Sequence, residues 1–157
     1  MENYQRYKYL GYTYPATFIH WQPIILEMLR KMDKHVRPWY IPLSVMNGIK
    51  WLAMGNSVVS VKNWFWYNLS RKLTKGNFIT DIKDKYAELC IYGYFDDEMD
   101  KIVKWAEDEC EATCENCGSR EDVQYCGERW VYNYCEKCRI EKKQKVIKDE
   151  DEIIEEN

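Results

Sequence analysis

The chain has 157 residues and a mass of 19.1 kDa, one domain with room for a small appended module. With 7 Gly, 4 Pro and 46% hydrophobic residues, its composition excludes collagen, a coiled coil and global disorder. The net charge of −3 hides a split: residues 1–80 hold 11 Lys+Arg against 3 Asp+Glu, and residues 81–157 hold the other 12 against 23. The rings follow the positive charge, with 15 of the 24 Phe, Trp and Tyr in the first 80 residues.

Along the chain, tyrosines at 4, 7, 9, 12 and 14 surround Arg6 and Lys8, and Pro15 ends that stretch. A helix is expected next, with Pro23 in its first turn and Ile24, Ile25, Met28, Leu29 and Met32 on one face, running out by Pro38. Between residues 40 and 62, Asn47-Gly48 and Gly55-Asn56 are hairpin-type dipeptides. A small meander and a helix broken at the glycines both remain open there. Residues 61–73 read as a second helix, with Trp64, Phe65, Tyr67 and Leu69 partly buried and a stop at Gly76.

The pattern changes at Phe78. Residues 78–83 and 87–95 read as paired strands, after which Asp96-Asp97-Glu98 opens a helix whose N-terminus favours acidic side chains. Met99, Ile102, Val103, Ala106 and Cys110 follow helical spacing, and this helix leads into the cysteine-rich segment. The sequence therefore predicts an α+β fold of helices and antiparallel strands with a C-terminal zinc ribbon. Its expected parts are a basic aromatic region (1–77), a strand pair and helix completing the domain (78–111), a zinc-ribbon module (112–140) and a charged, acidic tail (141–157).

Four of the seven cysteines carry the strongest signal. Cys114-x-x-Cys117 and Cys135-x-x-Cys138 have the spacing of a four-cysteine structural zinc site. Two residues between thiolates let one tight turn aim both sulfurs at one ion, and Gly118 permits the backbone that such a turn needs. A hairpin of 123–126 and 129–134 around Gly127 would set Trp130, Tyr132 and Tyr134 on one face. Four thiolates leave no open coordination position, so the expected Zn2+ is structural. Cys110 and Cys126 fall outside the paired spacing, and Cys90 is expected in the core. An odd cysteine count, an N-terminus without an apolar core and no unbroken apolar span point to a reducing, cytoplasmic setting with no membrane.

From residue 78 onward the chain is similar to a group of small bacteriophage proteins, on Ile82-Lys83-Asp84-Lys85-Tyr86-Ala87-Glu88-Leu89-Cys90-Ile91-Tyr92, the Asp96-Asp97-Glu98 helix and Cys114-Glu115-Asn116-Cys117-Gly118. His20-Trp21-Gln22-Pro23 resembles the tryptophan-led first helix of that group. Ala87 stands where the group has glycine, and residues 37–77 are enlarged. The resemblance implies a phage origin and an intracellular zinc-bound α+β fold, and it transfers no activity.

Catalytic constellations are missing from the sequence. His20 and His35 lie in no metal spacing, and no His lies between the cysteine pairs as an HNH-type nuclease would need. The acid-bearing motif of zinc deaminases and the P-loop are absent. Met54-Gly55-Asn56-Ser57-Val58 with Trp64 is faintly similar to a motif of phage cytosine-C5 methyltransferases, but the Pro-Cys nucleophile loop and Gly-rich cofactor loop of those enzymes are missing. A non-enzymatic binding role is therefore expected, through a host or phage protein. The candidate contacts are Arg6, Lys8, Arg30, Lys31, Lys34 and Arg37 in the basic half, with Trp130 and Tyr132 on the ribbon. A nucleic-acid partner held by the same cations and rings is the alternative, against which the pI near 5.5 argues.

Overall fold

The computed structural model describes residues 4–11, 17–54, 61–127 and 129–143. Its elements are a 3-10 helix (Tyr4–Leu10), α1 (Gln22–Val36), α2 (Leu43–Met54), α3 (Val61–Leu73), β1 (Phe78–Lys85), β2 (Glu88–Tyr94), α4 (Asp97–Glu111), β3 (Val123–Cys126), β4 (Tyr132–Cys135) and α5 (Glu136–Lys142). The fold is α+β, with two separate antiparallel strand pairs, β1–β2 and β3–β4.

The main core forms where α1, α4, the β1–β2 hairpin and the 3-10 helix meet. Ile25, Met28, Leu29, Met32 and Val36 recur at helical spacing along α1 and are buried, as are Met99, Val103, Ala106 and Cys110 of α4. Tyr9, Leu10, Ile79, Ile82 and Leu89 complete this core, so the regions on either side of residue 78 share one apolar interior. A second, much smaller core consists of Cys114, Cys126, Tyr134, Cys135 and Cys138, with Val123 and Tyr132 packed against it.

Both helices expected around the core are present, and α4 begins as its acidic start suggests: the Asp96 carboxylate accepts from the Met99 N–H at 3.0 Å. The ambiguous segment is a helix, α2, that runs through Asn47-Gly48. Asn47 does not turn the chain there. Its side chain accepts from the Tyr9 N–H at 2.9 Å and donates to the Arg6 carbonyl at 2.9 Å, clamping the 3-10 helix onto α2. The other dipeptide, Gly55-Asn56, lies outside the described residues, as do Tyr12, Tyr14, Pro15 and residues 144–157 of the expected tail. Helix α5 crosses the boundary expected at 140.

One expectation for α3 is corrected. Trp64, Phe65 and Tyr67 are exposed, and only Trp66 and Leu69 of that run are half-buried. Four consecutive aromatics sweep about 300° of a helix's circumference, so they cannot all face one interior. The β1–β2 hairpin closes on Lys85↔Glu88, with Tyr86 (φ +54°) and Ala87 (φ +64°) both left-handed at its tip. Two left-handed residues are what the favoured two-residue hairpin turn requires, a setting in which Asn and Gly are usual.

Candidate metal centre

The end of α4 delivers the first cysteine pair. The Thr113 N–H donates to Cys110 O at 3.0 Å, after which the chain folds into a tight loop. There the Gly118 N–H donates to Cys114 O, and the Cys114 N–H to Ser119 O, each at 2.8 Å. Gly118 has φ +76°, the left-handed conformation that suits a residue without Cβ. The second pair comes from the β4–α5 junction: Cys135 precedes the first turn of α5 and Cys138 lies within it. Two residues lie between them, so one helical turn brings both sulfurs to the same side.

The four sulfurs of Cys114, Cys117, Cys135 and Cys138 lie within 4.8 Å of one another. Cys117 and Cys135 are 3.6 Å apart, close to the ~3.8 Å edge of a tetrahedron with metal–sulfur bonds of ~2.3 Å. Cys114, Cys135 and Cys138 are buried and Cys117 is exposed. Asn116 Nδ2 donates to the Cys138 sulfur at 3.3 Å. Burial alone would raise the Cys114 thiol, but hydrogen bonds from the backbone of Cys135, Cys117 and Asn116 outweigh it and lower the group to about 7. Burial pushes Cys138 up to about 12, and the neighbouring thiols of Cys117, Cys135 and Cys114 add to the rise. A divalent cation reverses that balance by stabilising all the thiolates together. The donor set among the described residues is four soft sulfurs close enough to share one ion, so the residues fit a structural metal ion. Cys110 is buried in the main core and Cys126 in the small core of the ribbon, both outside the cluster, and Cys90 is half-buried on β2.

The hairpin behind the cluster is held by more than the cysteines. Gly127 (φ +124°) turns the chain where a Cβ would fall 1.9 Å from the Trp130 carbonyl oxygen. The buried Arg139 guanidinium donates to Asp122 O (3.0 Å), Tyr134 O (3.1 Å) and the Asp122 carboxylate (2.6 Å). Several polar contacts join the ribbon to the helical body, among them the Arg120–Glu109 ion pair at 2.7 Å. Within the ribbon the Glu115 N–H donates to Asn133 O at 3.0 Å, and the Asn133 amide reaches across to donate to Glu111 O at the end of α4. Tyr125 Oη donates to the Glu111 carboxylate at 3.0 Å. The Trp21 indole of α1's N-terminus donates to Thr113 O at 3.1 Å.

The ribbon aromatics separate. Tyr132 and Tyr134 stack at 5.1 Å with 15° between their planes, half-buried and buried respectively, because they close the small core beside the cysteines. Of the three, Trp130 alone is exposed, at 74%, so the candidate contact Tyr132 is half-buried in the small core instead of standing outward beside it.

The basic half is likewise divided. Arg37 grips Asp33 with two bonds of 2.7 and 2.8 Å and donates to Ile41 O at 2.9 Å, while Tyr9 Oη donates to the same carboxylate at 2.6 Å. Arg37, half-buried, is thus engaged as a brace between α1 and the turn that follows it. Lys31 sits 3.4 Å over the Trp105 ring, and Arg30 pairs with Glu27 at 3.1 Å. Arg6, Lys8 and Lys34 are exposed.

Sequence reasoning gave no weight to the indoles of the α2–α3 pair and the turn before it. Trp39 is 90%, Trp51 73% and Trp64 66% exposed, with Tyr40 and Phe65 also exposed. The run of four aromatics in α3 was the available signal. Comparison with protein-family profiles, with curated proteins and with solved structures finds no match. Among the described residues, no helix is long and apolar enough to cross a membrane.

Proposed function

We propose that the chain is a phage-type, zinc-stabilised intracellular protein that acts without catalysis, by binding a protein of the host machinery and regulating or inhibiting it. The observation that carries this reading is the exposure of Trp39, Trp51 and Trp64 together with Trp130. Large aromatic side chains bury area at little entropic cost and are over-represented among the residues that dominate protein interfaces. The four-cysteine cluster supports zinc as the ion, since tetrahedral thiolate sites select it, and closed coordination supports a structural role. Phage origin and a cytoplasmic setting rest on the resemblance carried by residues 82–92, 96–98 and 114–118.

The competing nucleic-acid reading loses support from the engagement of Arg37 with Asp33 and of Lys31 with the Trp105 ring. Affinity capture from infected cells, repeated at rising salt, separates the two. An aromatic-anchored protein partner stays bound as salt rises and is lost on Trp51→Ala or Trp64→Ala. A partner whose retention falls steeply with salt and survives both substitutions would sink the proposal.

A further inference from the structure

A cavity of about 570 Å³ opens between α2, α3 and the open end of the β1–β2 hairpin, far along the chain from the cysteine cluster. This is within the range of ~300–1,000 Å³ usual for small-molecule sites. Its lining has a consistent chemistry. Lys50 of α2 and Arg71 of α3 supply two cations, Tyr67, Phe78 and Tyr94 supply three rings, and none of the described residues that line it carries a carboxylate. Ser70 is buried in its wall.

Lys50 is the informative member. Its ammonium is half-buried and lies 3.8 Å from the centroid of the Phe78 ring, with no ion-pair partner among the described residues. Burial lowers its pKa, and no neighbouring carboxylate offsets that. A cation withdrawn from water is normally matched by an anion or by hydrogen bonds, and a ring face supplies only part of that. Elsewhere in this protein the partly buried cation Arg37 has its carboxylate. The Tyr67 and Tyr94 rings are exposed at the same cavity, where their apolar faces remain uncovered.

We propose that this cavity binds a nucleotide, its phosphate between Lys50 and Arg71 and its base against the Tyr67, Phe78 and Tyr94 rings. Two cations without an opposing acid select an anion, and flat aromatic walls select a planar group attached to it. The site is independent of the protein-binding reading, which draws on the exposed indoles.

Calorimetric titration of the full, metal-loaded chain with adenosine and uridine 5′-monophosphates, adenosine, and inorganic phosphate tests the assignment. A monophosphate should bind, with adenosine and phosphate alone each at least about tenfold weaker. Lys50→Met and Arg71→Met should each weaken the monophosphate by about tenfold or more. Arg71 is exposed, so its variant keeps the fold even if the Lys50 variant does not, and circular dichroism checks both. An octathymidylate that displaces the monophosphate identifies a nucleotide within a strand as the occupant, and one that does not identifies the free nucleotide. Undiminished binding by the Arg71 variant, adenosine binding as tightly as its phosphate, or no binding by either monophosphates or octathymidylate overturns the proposal.

Discussion

The Trp21 indole N–H donates to the Thr113 carbonyl at 3.1 Å, linking the start of the first helix to the residue immediately before the first metal-ligand cysteine. Both residues are buried, and 92 positions of sequence separate them. The helical body therefore sets the position of Cys114, and the four-cysteine cluster is oriented by a core it does not belong to.

Trp21→Phe keeps a ring in the core and removes this donor, leaving a buried carbonyl unsatisfied. The expected loss is about 1–3 kcal/mol of stability, read as a lower urea midpoint with an unchanged slope. A midpoint equal to that of the parent protein would show that the bond contributes nothing.

Removal of the metal should act locally. The ribbon's own apolar core is small beside the one shared by α1, α4 and β1–β2, so its order depends on the ion. Chelation, or Cys135→Ser, should abolish hydrogen-exchange protection over residues 113–140 while the α1 and α4 amides stay protected. Elemental analysis of the parent protein should give one zinc per chain. Persistence of ribbon protection in metal-free protein would contradict this.

Asp96 makes stability acid-sensitive. Burial alone would raise its pKa, but hydrogen bonds from Asn77 Nδ2 (2.9 Å), the Met99 N–H (3.0 Å) and His35 Nε2 (3.0 Å) outweigh that and hold it well below the usual carboxylate range. Its contribution is complete above the unfolded-state value near ~3.9 and is lost as pH falls from there towards the lower folded-state value. Asp96→Asn keeps a good helix cap but cannot titrate. Its unfolding free energy should therefore depend less on pH below about 4 than the parent's, as urea titrations across that range would reveal.

The tip of the β1–β2 hairpin holds a left-handed tyrosine, Tyr86, whose side chain is exposed. Asparagine tolerates that conformation better, so Tyr86→Asn should raise stability by about 0.5–1 kcal/mol. Thermal denaturation reads the effect, and a lowered midpoint would mean that the Tyr86 ring, 5.4 Å from the Lys85 ammonium, matters more than the backbone.

Periodicity made the main helices and the first hairpin legible before any coordinates. Met28, Leu29 and Met32 in α1, and Met99, Val103 and Ala106 in α4, recur at helical spacing because each helix lays one stripe on the shared core. Cysteine spacing was equally legible, since two residues between thiolates is a local geometric requirement. Asn47-Gly48 was not: whether it turns the chain or sits within a helix depends on Tyr9 and Arg6, which are far from it in sequence.

The sequence by itself determined the α+β class, the two strand pairs and the four ligand cysteines, because those signals are carried by neighbours within a turn or a strand. Only the tertiary structure decided how the basic aromatic half divides. Arg37 turns inward to Asp33, Lys31 lies over Trp105, and Lys50 lines a cavity with Arg71, while Trp39, Trp51 and Trp64 remain outside. Long cationic and aromatic side chains have the same local preferences at the surface and in the interior. Their fate is set by which partner the fold brings within reach.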